Sequence, residues 1–392
     1  MIELKKISDV FDVGSSKRVF KSEWTSEGVP FYRAREVVKL SKNGYVDNEL
    51  FISEEMFQEY SKKYGVPKSG DILVTGVGTL GICYQVKDHD RFYFKDGNIV
   101  WLKKRENVSS DYIEYCFKSP FVKRQIQSTA DAAVVGTYTI TNARDTKIPL
   151  PPIDQQKKIA AILDAADAYR QKTKALIEKY DELTQSLFLD MFGELEGDKV
   201  SLSSICEVNP KKAQISSLDR SLKVSFVPMA NVSEEGELSL VEERTIDEVW
   251  SGFTYFQEDD VVFAKITPCM ENGKGAIMRG LKNKIGFGTT EFHVLRPTND
   301  VSCSEYLFYL THSSHFRVLA ELNMKGSAGQ KRVPKDFFDR YKVVAPSIAL
   351  QNQFAERVQA IEAQKAQAQA SLAQAEDLFN SLLQRAFKGE LS

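Results

Sequence analysis

The chain has 392 residues, 42% of them hydrophobic and 27% charged, with a net charge of −2. That length supports two domains with real cores. The near-neutral balance excludes a globally basic coat, so any nucleic-acid surface must be a local patch or be completed by partner subunits. The five cysteines (Cys83, Cys116, Cys206, Cys269, Cys303) show no paired spacing, the start MIELKKISDV has no apolar signal region, and no run approaches membrane-spanning length. A reduced, cytoplasmic protein is expected.

Residues 1–150 alternate short strand-like runs with turn signals. Strands are predicted at Val29–Ala34, Asp71–Thr75, Ile82–Val86, Arg91–Phe94 and Ile99–Leu102, and helices at Ser53–Tyr64 and Asp111–Ser119, giving a mixed α+β domain. Gly76-Val77-Gly78-Thr79-Leu80-Gly81 spells a G-x-G-x-x-G string. A dinucleotide site needs a helix next, and ICYQV reads as another strand, so a glycine-rich turn is the better reading. Candidate DNA contacts here are Lys17 and Arg18, Arg33 with Arg35 and Lys42, and the Thr137-Tyr138-Thr139 segment near Thr141 and Asn142.

From Pro151 to Gly193 the pattern changes. Ile159, Ile162, Ala166, Tyr169, Thr173, Leu176, Tyr180, Leu183 and Leu187 recur at steps of three and four, an a/d seam held for about four heptads. Pro151 and Pro152 precede the helix and Gly193 is a plausible stop. At about 1.5 Å per residue the rod is roughly 57 Å long.

Residues 196–345 repeat the first domain weakly. LKKISDV at Leu4 pairs with LSSICEV at Leu202, GDILVTG at Gly70 with DDVVFAK at Asp259, and VSSDYIEY at Val108 with VSCSEYLFY at Val301. Gly136–Ile140 pairs with Gly329–Val333. The frame matches while the loops differ, which suggests one job done on two targets. Candidate contacts are Lys211 and Lys212, Lys265, Lys274, and Lys325 followed by Gln330-Lys331-Arg332 in a loop with Gly326 and Gly329. Ordinary solvated charge is the alternative for each.

The rod is copied as well. PSIALQNQFAERV from Pro346 stands 195 residues after PPIDQQKKIAAIL from Pro151. Its seam reads Val358, Ile361, Lys365, Ala368, Leu372, Ala375, Phe379, Leu382 and Ala386, with Lys365 out of pattern. If the rods pack antiparallel, FKGEL at the C-terminus returns close to Met1. The expected plan is two mixed α+β domains, 1–150 and 196–345, joined by two long antiparallel coiled-coil helices, 151–195 and 346–392, with internal pseudo-two-fold symmetry.

Catalytic signatures are missing. There is no P-loop, no G-x-S-x-G elbow and no aromatic Pro-Pro tetrapeptide of an amino-methyltransferase. His312 and His315 stand three apart on one predicted helix, without further ligands at metal spacing. Asp71 and Asp259/Asp260 begin aligned strands and read as hydrogen-bonding residues.

Two variable domains, each followed by a long helix that opens with a P-P-I-x-x-Q-type motif, resemble the specificity subunit of type I restriction–modification systems. The motif is carried by Pro151-Pro152-Ile153 with Gln155-Gln156, and in the copy by Pro346, Ile348 and Gln351, with Ser347 in place of the second proline. The resemblance implies two target recognition domains reading a bipartite double-stranded DNA sequence. It implies helices that act as spacer and dock two adenine-N6 methyltransferase subunits, and motor–nuclease subunits that join them. It also implies a non-catalytic prokaryotic chain, with S-adenosylmethionine, ATP and magnesium belonging to the partners. The competing reading is a coiled-coil adaptor whose domains bind proteins.

Overall fold

The structure, a computed structural model, describes residues 3–105, 108–131, 136–327 and 329–391. It divides into two compact units: Met1–Lys174 with Ala370–Ser392, and Ala175–Gln369.

The first unit opens with β1 (Leu4–Lys6), α1 (Ile7–Val10), β2 (Phe11–Gly14), β3 (Val29–Tyr32), α2 (Ala34–Asn43), β4 (Phe51–Ile52) and α3 (Glu54–Tyr64). It continues with β5 (Ile72–Thr75), β6 (Cys83–Gln85), β7 (Tyr93–Phe94), β8 (Ile99–Lys104), α4 (Ser110–Lys118), α5 (Pro120–Asp131), α6 (Ile140–Asp145) and β9 (Lys147–Pro149), then enters α7 (Ile153–Phe192). A four-stranded sheet runs β2-β8-β5-β6, and a three-stranded sheet runs β4-β3-β7 with β3 and β7 parallel. All four residues of β5 are buried, so the strand reads as a plain apolar run. Ser53 and Ser109 start α3 and α4 by accepting the N–H of the third residue along, the usual N-cap bond.

The sequence pattern does not predict α2. The expected strand Val29–Ala34 stops at Tyr32 because the Glu36 carboxylate reaches back to the Arg33 N–H (2.9 Å) and starts a helix, which Gly44 ends at φ +75°. The G-x-G-x-x-G string joins the antiparallel strands β5 and β6, with Gly78 and Gly81 at positive φ. It is a turn and no helix follows it.

The second unit runs β10 (Lys199–Ser201), β11 (Cys206–Val208), β12 (Lys223–Val227), β13 (Glu242–Thr245), α8 (Ile246–Val249), β14 (Thr254–Gln257), β15 (Val261–Ala264) and β16 (Gly275–Ile277). It continues β17 (Ile285–Gly288), β18 (Phe292–Pro297), α9 (Ser304–His312), α10 (Ser314–Leu322), α11 (Phe337–Arg340), β19 (Lys342–Val344) and α12 (Ile348–Lys388). Its sheets are β11-β18-β15-β16 and β13-β12-β17-β14. The helix predicted across His312 and His315 is two helices. Ser313 ends α9, and its hydroxyl accepts the Phe316 N–H (3.2 Å) to start α10. His312 packs its ring 3.8 Å from that of Phe308, while His315 lies on the next helix, so the pair does not form a ligand set.

The two units share one hydrogen-bond frame. Gln156 is buried; its carbonyl accepts the Ser109 N–H (3.0 Å) and its amide donates to Pro151 O (2.8 Å). Gln351, fully buried, does the same with Cys303 N–H (3.0 Å) and Pro346 O (2.9 Å). The glutamine of the P-P-I-x-x-Q motif is thus a clamp between the start of the long helix and the start of α4 or α9. Asp71 accepts from Lys104 N–H, Lys68 N–H and the Trp101 indole, and Asp260 accepts from Gln257 N–H and Arg296. Both aspartates are structural acceptors.

Within each unit the long helices run antiparallel. In the first, Gln155 donates to Leu391 O (3.2 Å), the Arg170 guanidinium lies 4.5 Å over Phe379, and Lys174 pairs with Glu376 (3.1 Å). Leu391 also packs against the first-unit core; Met1 lies outside the described residues. In the second, Phe188 stacks edge-on to Phe354 and Lys365, 9% exposed, pairs with Asp181 at 2.6 Å. Along the expected α12 seam Val358, Lys365, Ala368, Ala375, Phe379 and Ala386 are buried, while Ile361, Leu372 and Leu382 are half-buried and Leu383 takes the inward place beside Leu382; Lys365 is its one ionic layer.

The α7 seam needs correcting. Ile159, Thr173 and their heptad mates face inward, but the alternate positions are Leu163, Arg170, Ile177 and Thr184, one residue on. Ile162, Tyr169, Leu176 and Leu183 point outward at 38–54% exposure and form a second, open apolar stripe. At the matching α12 positions stand Arg357, Gln364, Ser371 and Leu378, so the copy has no such stripe.

Candidate nucleic-acid interface

In both units a loop segment is hydrogen-bonded where the central strand leaves its sheet, and in the second unit most of the candidate residues gather there. After β5, Gly76 donates to Asn98 O (2.8 Å) and accepts the Tyr138 N–H (2.9 Å). After β15, Lys265 donates to Glu291 O (2.8 Å) and accepts the Val333 N–H (2.9 Å). Tyr138 is therefore the counterpart of Val333, and Gly136 that of Lys331, two residues away from the sequence pairing of Gly136 with Gly329. Gly136 and Gly329 are therefore not equivalent, and Gly329 serves a separate turn at φ +79°.

In the second unit, reciprocal Lys325–Arg332 backbone bonds (2.9 Å each) close a loop through Gly326, Gly329, Gln330 and Lys331. Arg332 does not point freely from it. Its guanidinium forks onto Glu291 (2.9 and 2.8 Å), and this pairing holds the Glu291 carboxyl below the usual carboxylate range. Lys265 lies beside this pair, and burial lowers its ammonium pKa despite Glu291. Lys274 is tied to the same strand end, accepting the Ala264 N–H (2.8 Å). Lys325, Gln330 and Lys331 are exposed. The structure thus brings six of the predicted residues to the strand end at Glu291, with Gln330 and Lys331 at the tip.

His293 anchors this strand end from below. It is 4% exposed, and its Nε2 is 2.8 Å from Val333 O while Nδ1 faces the Asn209 side chain. Burial holds its pKa down at about 4, against an ordinary 6.5. The unfolded chain takes up this proton near pH 6.5 and the folded chain near 4, so the contribution is complete above about pH 6.5 and is lost as pH falls towards 4. Between pH 7 and about 4.5, His293→Gln should lose roughly 2 kcal/mol less stability than the parent in urea unfolding. Equal losses would show that His293 does not titrate this way.

The first-unit candidates are more dispersed. The Lys17 N–H donates to the Tyr93 hydroxyl (2.9 Å), and Arg18 pairs with Asp96 (3.0 Å). Arg33 and Arg35 both grip Glu36, which is 3% exposed, and Arg35 also reaches Glu49 (2.6 Å), so they stabilise the start of α2. Lys42 is exposed in the last turn of that helix. Tyr138 is a correction: it is 1% exposed, its hydroxyl bonds Thr146 (2.8 Å), and it belongs to the core. Thr139 caps α6 by accepting the Asn142 N–H (3.2 Å), with Thr141 exposed and Thr137 half-buried beside it.

Lys212 is directed elsewhere, donating to Trp250 O (2.6 Å), and Lys211 is exposed beside it in sequence. The structure also gathers lysines that sequence reading misses. Asn283 donates to Lys223 O (2.8 Å), bringing Lys223 beside Lys282 and Lys284. These residues are about sixty apart in sequence and carry no motif. Among the described residues no group of His, Cys, Asp and Glu could hold a metal.

A family model described as the type I restriction modification DNA specificity domain matches residues 2–180 and 195–376. The chain belongs to the type I restriction–modification specificity subunits. It is 41% identical over 148 residues to the EcoEI specificity subunit and 43% identical over 149 residues to the EcoAI specificity subunit, both of Escherichia coli. Each match covers 38% of this chain, and 24% and 25% of the relatives. A putative specificity subunit of Haemophilus influenzae is 34% identical over 167 residues, 41% of this chain and 40% of its own. The matched part of this specificity subunit thus spans about a quarter of the E. coli relatives' length. A chain solved in work on complex assembly and conformational transition of the type I system aligns over 99% of this chain and 98% of its own, at TM-score 0.60 and 16% identity. The type I S subunit from M. genitalium aligns over 98% and 96%, at TM-score 0.52 and 15% identity. At such identities these two likenesses speak for the fold alone.

Proposed function

We propose that this specificity subunit reads a bipartite double-stranded DNA sequence, one half with the strand-end loops of each unit. The observation that carries the reading is the repeated frame. The same glutamine clamp, buried aspartate and strand-end bonds recur in both units, while the loops mounted on them differ in charge and length. Phosphate contacts from exposed lysines would fix register, and base contacts from the loop tips would specify sequence. The chain contributes no catalytic group. S-adenosylmethionine, ATP and magnesium belong to methyltransferase and motor–nuclease partners in the prokaryotic cytoplasm, where the target adenine is flipped into a partner's pocket.

The long helices set the distance between half-sites and carry the methyltransferase subunits. The heptad-spaced stripe of Ile162, Tyr169, Leu176 and Leu183 supports that docking, because an apolar seam left open to water fits a helix of a partner.

The test is an exchange of residues 1–150 for another such domain, read by methylation-sensitive sequencing of cells that carry the partner methyltransferase. One half of the methylated motif should change and the other persist. If both halves changed together, independent reading would be wrong.

A further inference from the structure

We propose that Arg220 is a DNA-contacting residue of the second unit, presenting its guanidinium edge to a two-acceptor partner on the duplex: a phosphate, or the O6/N7 edge of guanine. The proposal rests on the DNA-reading function above and adds a residue that no sequence motif marks. Arg220 lies in the loop before β12. Its carbonyl accepts the Asp247 N–H (3.0 Å), and Leu222 O accepts the Ile246 N–H (3.0 Å), so the loop is pinned to α8. The guanidinium is laid on the indole of Trp250, its carbon 3.1 Å from the ring centroid. Lys212, itself adjacent to Lys211, donates to the carbonyl of the same Trp250.

Two features separate Arg220 from an ordinary surface arginine. Its flat face is already held by the indole, which restricts its rotamers and leaves the N–H edge directed outward. Among the described residues no carboxylate or carbonyl accepts from it, whereas Arg279, Arg296 and Arg332 are each forked onto acids. None of its nitrogens is among the buried atoms without a partner, so the edge faces solvent. A preorganised, unneutralised fork with Lys212 on the same tryptophan suits bidentate donation to nucleic acid better than it suits fold stability. In the first unit the matching helix after β4 is α3, and the arginine laid on its aromatic ring, Arg91 over Phe57 at 4.8 Å, is committed to Glu54.

The experiment uses the full chain together with its methyltransferase, as parent, Arg220→Ala and Arg220→Lys. Methylated motifs are sequenced in cells, and affinity for a duplex carrying the parent motif is measured across a salt series. If Arg220 reads guanine, both variants should lose discrimination at one base pair of the second-unit half-site, roughly ten- to hundred-fold, with the other half unchanged. If it holds a phosphate, Arg220→Ala should weaken all duplexes alike and lower the salt slope by about one, while Arg220→Lys largely restores both. An unchanged motif and salt slope in both variants would overturn the proposal. A parent complex that methylates no bipartite motif would instead overturn the function above, and that arm does not involve Arg220.

Discussion

Replacing Gln351 with alanine should cost about 3 kcal/mol of stability, and replacing Gln156 about 2 kcal/mol. Both side chains are buried, and each closes a clamp between the start of a long helix and the cap of the helix packed beside it. Gln351 serves three backbone groups: it accepts from Cys303 N–H and donates to Pro346 O and Val301 O. Gln156 serves two, Ser109 N–H and Pro151 O. Alanine leaves these groups without partners in a space too small to hydrate freely, at about 1–3 kcal/mol for each buried orphan. Urea unfolding of the two variants beside the parent reads the difference. Losses well under 1 kcal/mol in both would show that water replaces the amide and that no clamp exists.

The other large effect concerns length. Seven residues inserted in register after Lys174 and after Gln369 should lengthen the unread gap of the target by roughly three base pairs. The two points match across the repeat and fall at the division between the units, so Lys365–Asp181 and Lys174–Glu376 both survive. Seven residues preserve heptad phase and add about 10.5 Å, against about 3.4 Å of rise per base pair. This figure holds for helices lying along the DNA axis, and a tilt reduces it. An insertion in one helix alone should dephase the seam and abolish assembly. The methylated motif in cells carrying each variant is the measurement. An active double insertion that keeps the original spacing would show that something else sets the distance.

The sequence reveals the architecture because the repeat is long and its frame residues are chemically demanding. A buried glutamine or aspartate tolerates few substitutes, so Gln156 and Gln351 mark the frame even where the loops have diverged. The α7 seam slips for a local reason. Ile162 stands next to Leu163, and Leu176 next to Ile177, so both phases look apolar. Tyr169 against Arg170 tips the choice towards the tyrosine, yet the arginine faces inward because Phe379 lies beneath its guanidinium. The Gly136 pairing fails similarly, since a shared glycine outweighs a two-residue shift that only the Gly76 and Lys265 hydrogen bonds reveal. The candidate interface is less legible. Arg332 is claimed by Glu291, forty-one residues upstream, and Arg220 finds Trp250 thirty residues downstream. Neither partner is marked by local pattern, so charge alone cannot separate a reader of DNA from a strut.

The single ionic layer at Lys365 bears on errors of assembly. An alanine-rich helix can slide along a neighbour by one heptad at little loss of packing, because its small side chains look alike at each step. Here such slippage would leave a buried ammonium facing apolar neighbours, with Asp181 stranded a full turn or more away, at a penalty of several kcal/mol. In the other unit the same slip would lift Arg170 off Phe379. Misaligned forms are thus discouraged at two places, and each unit's helix pair is held to a single register.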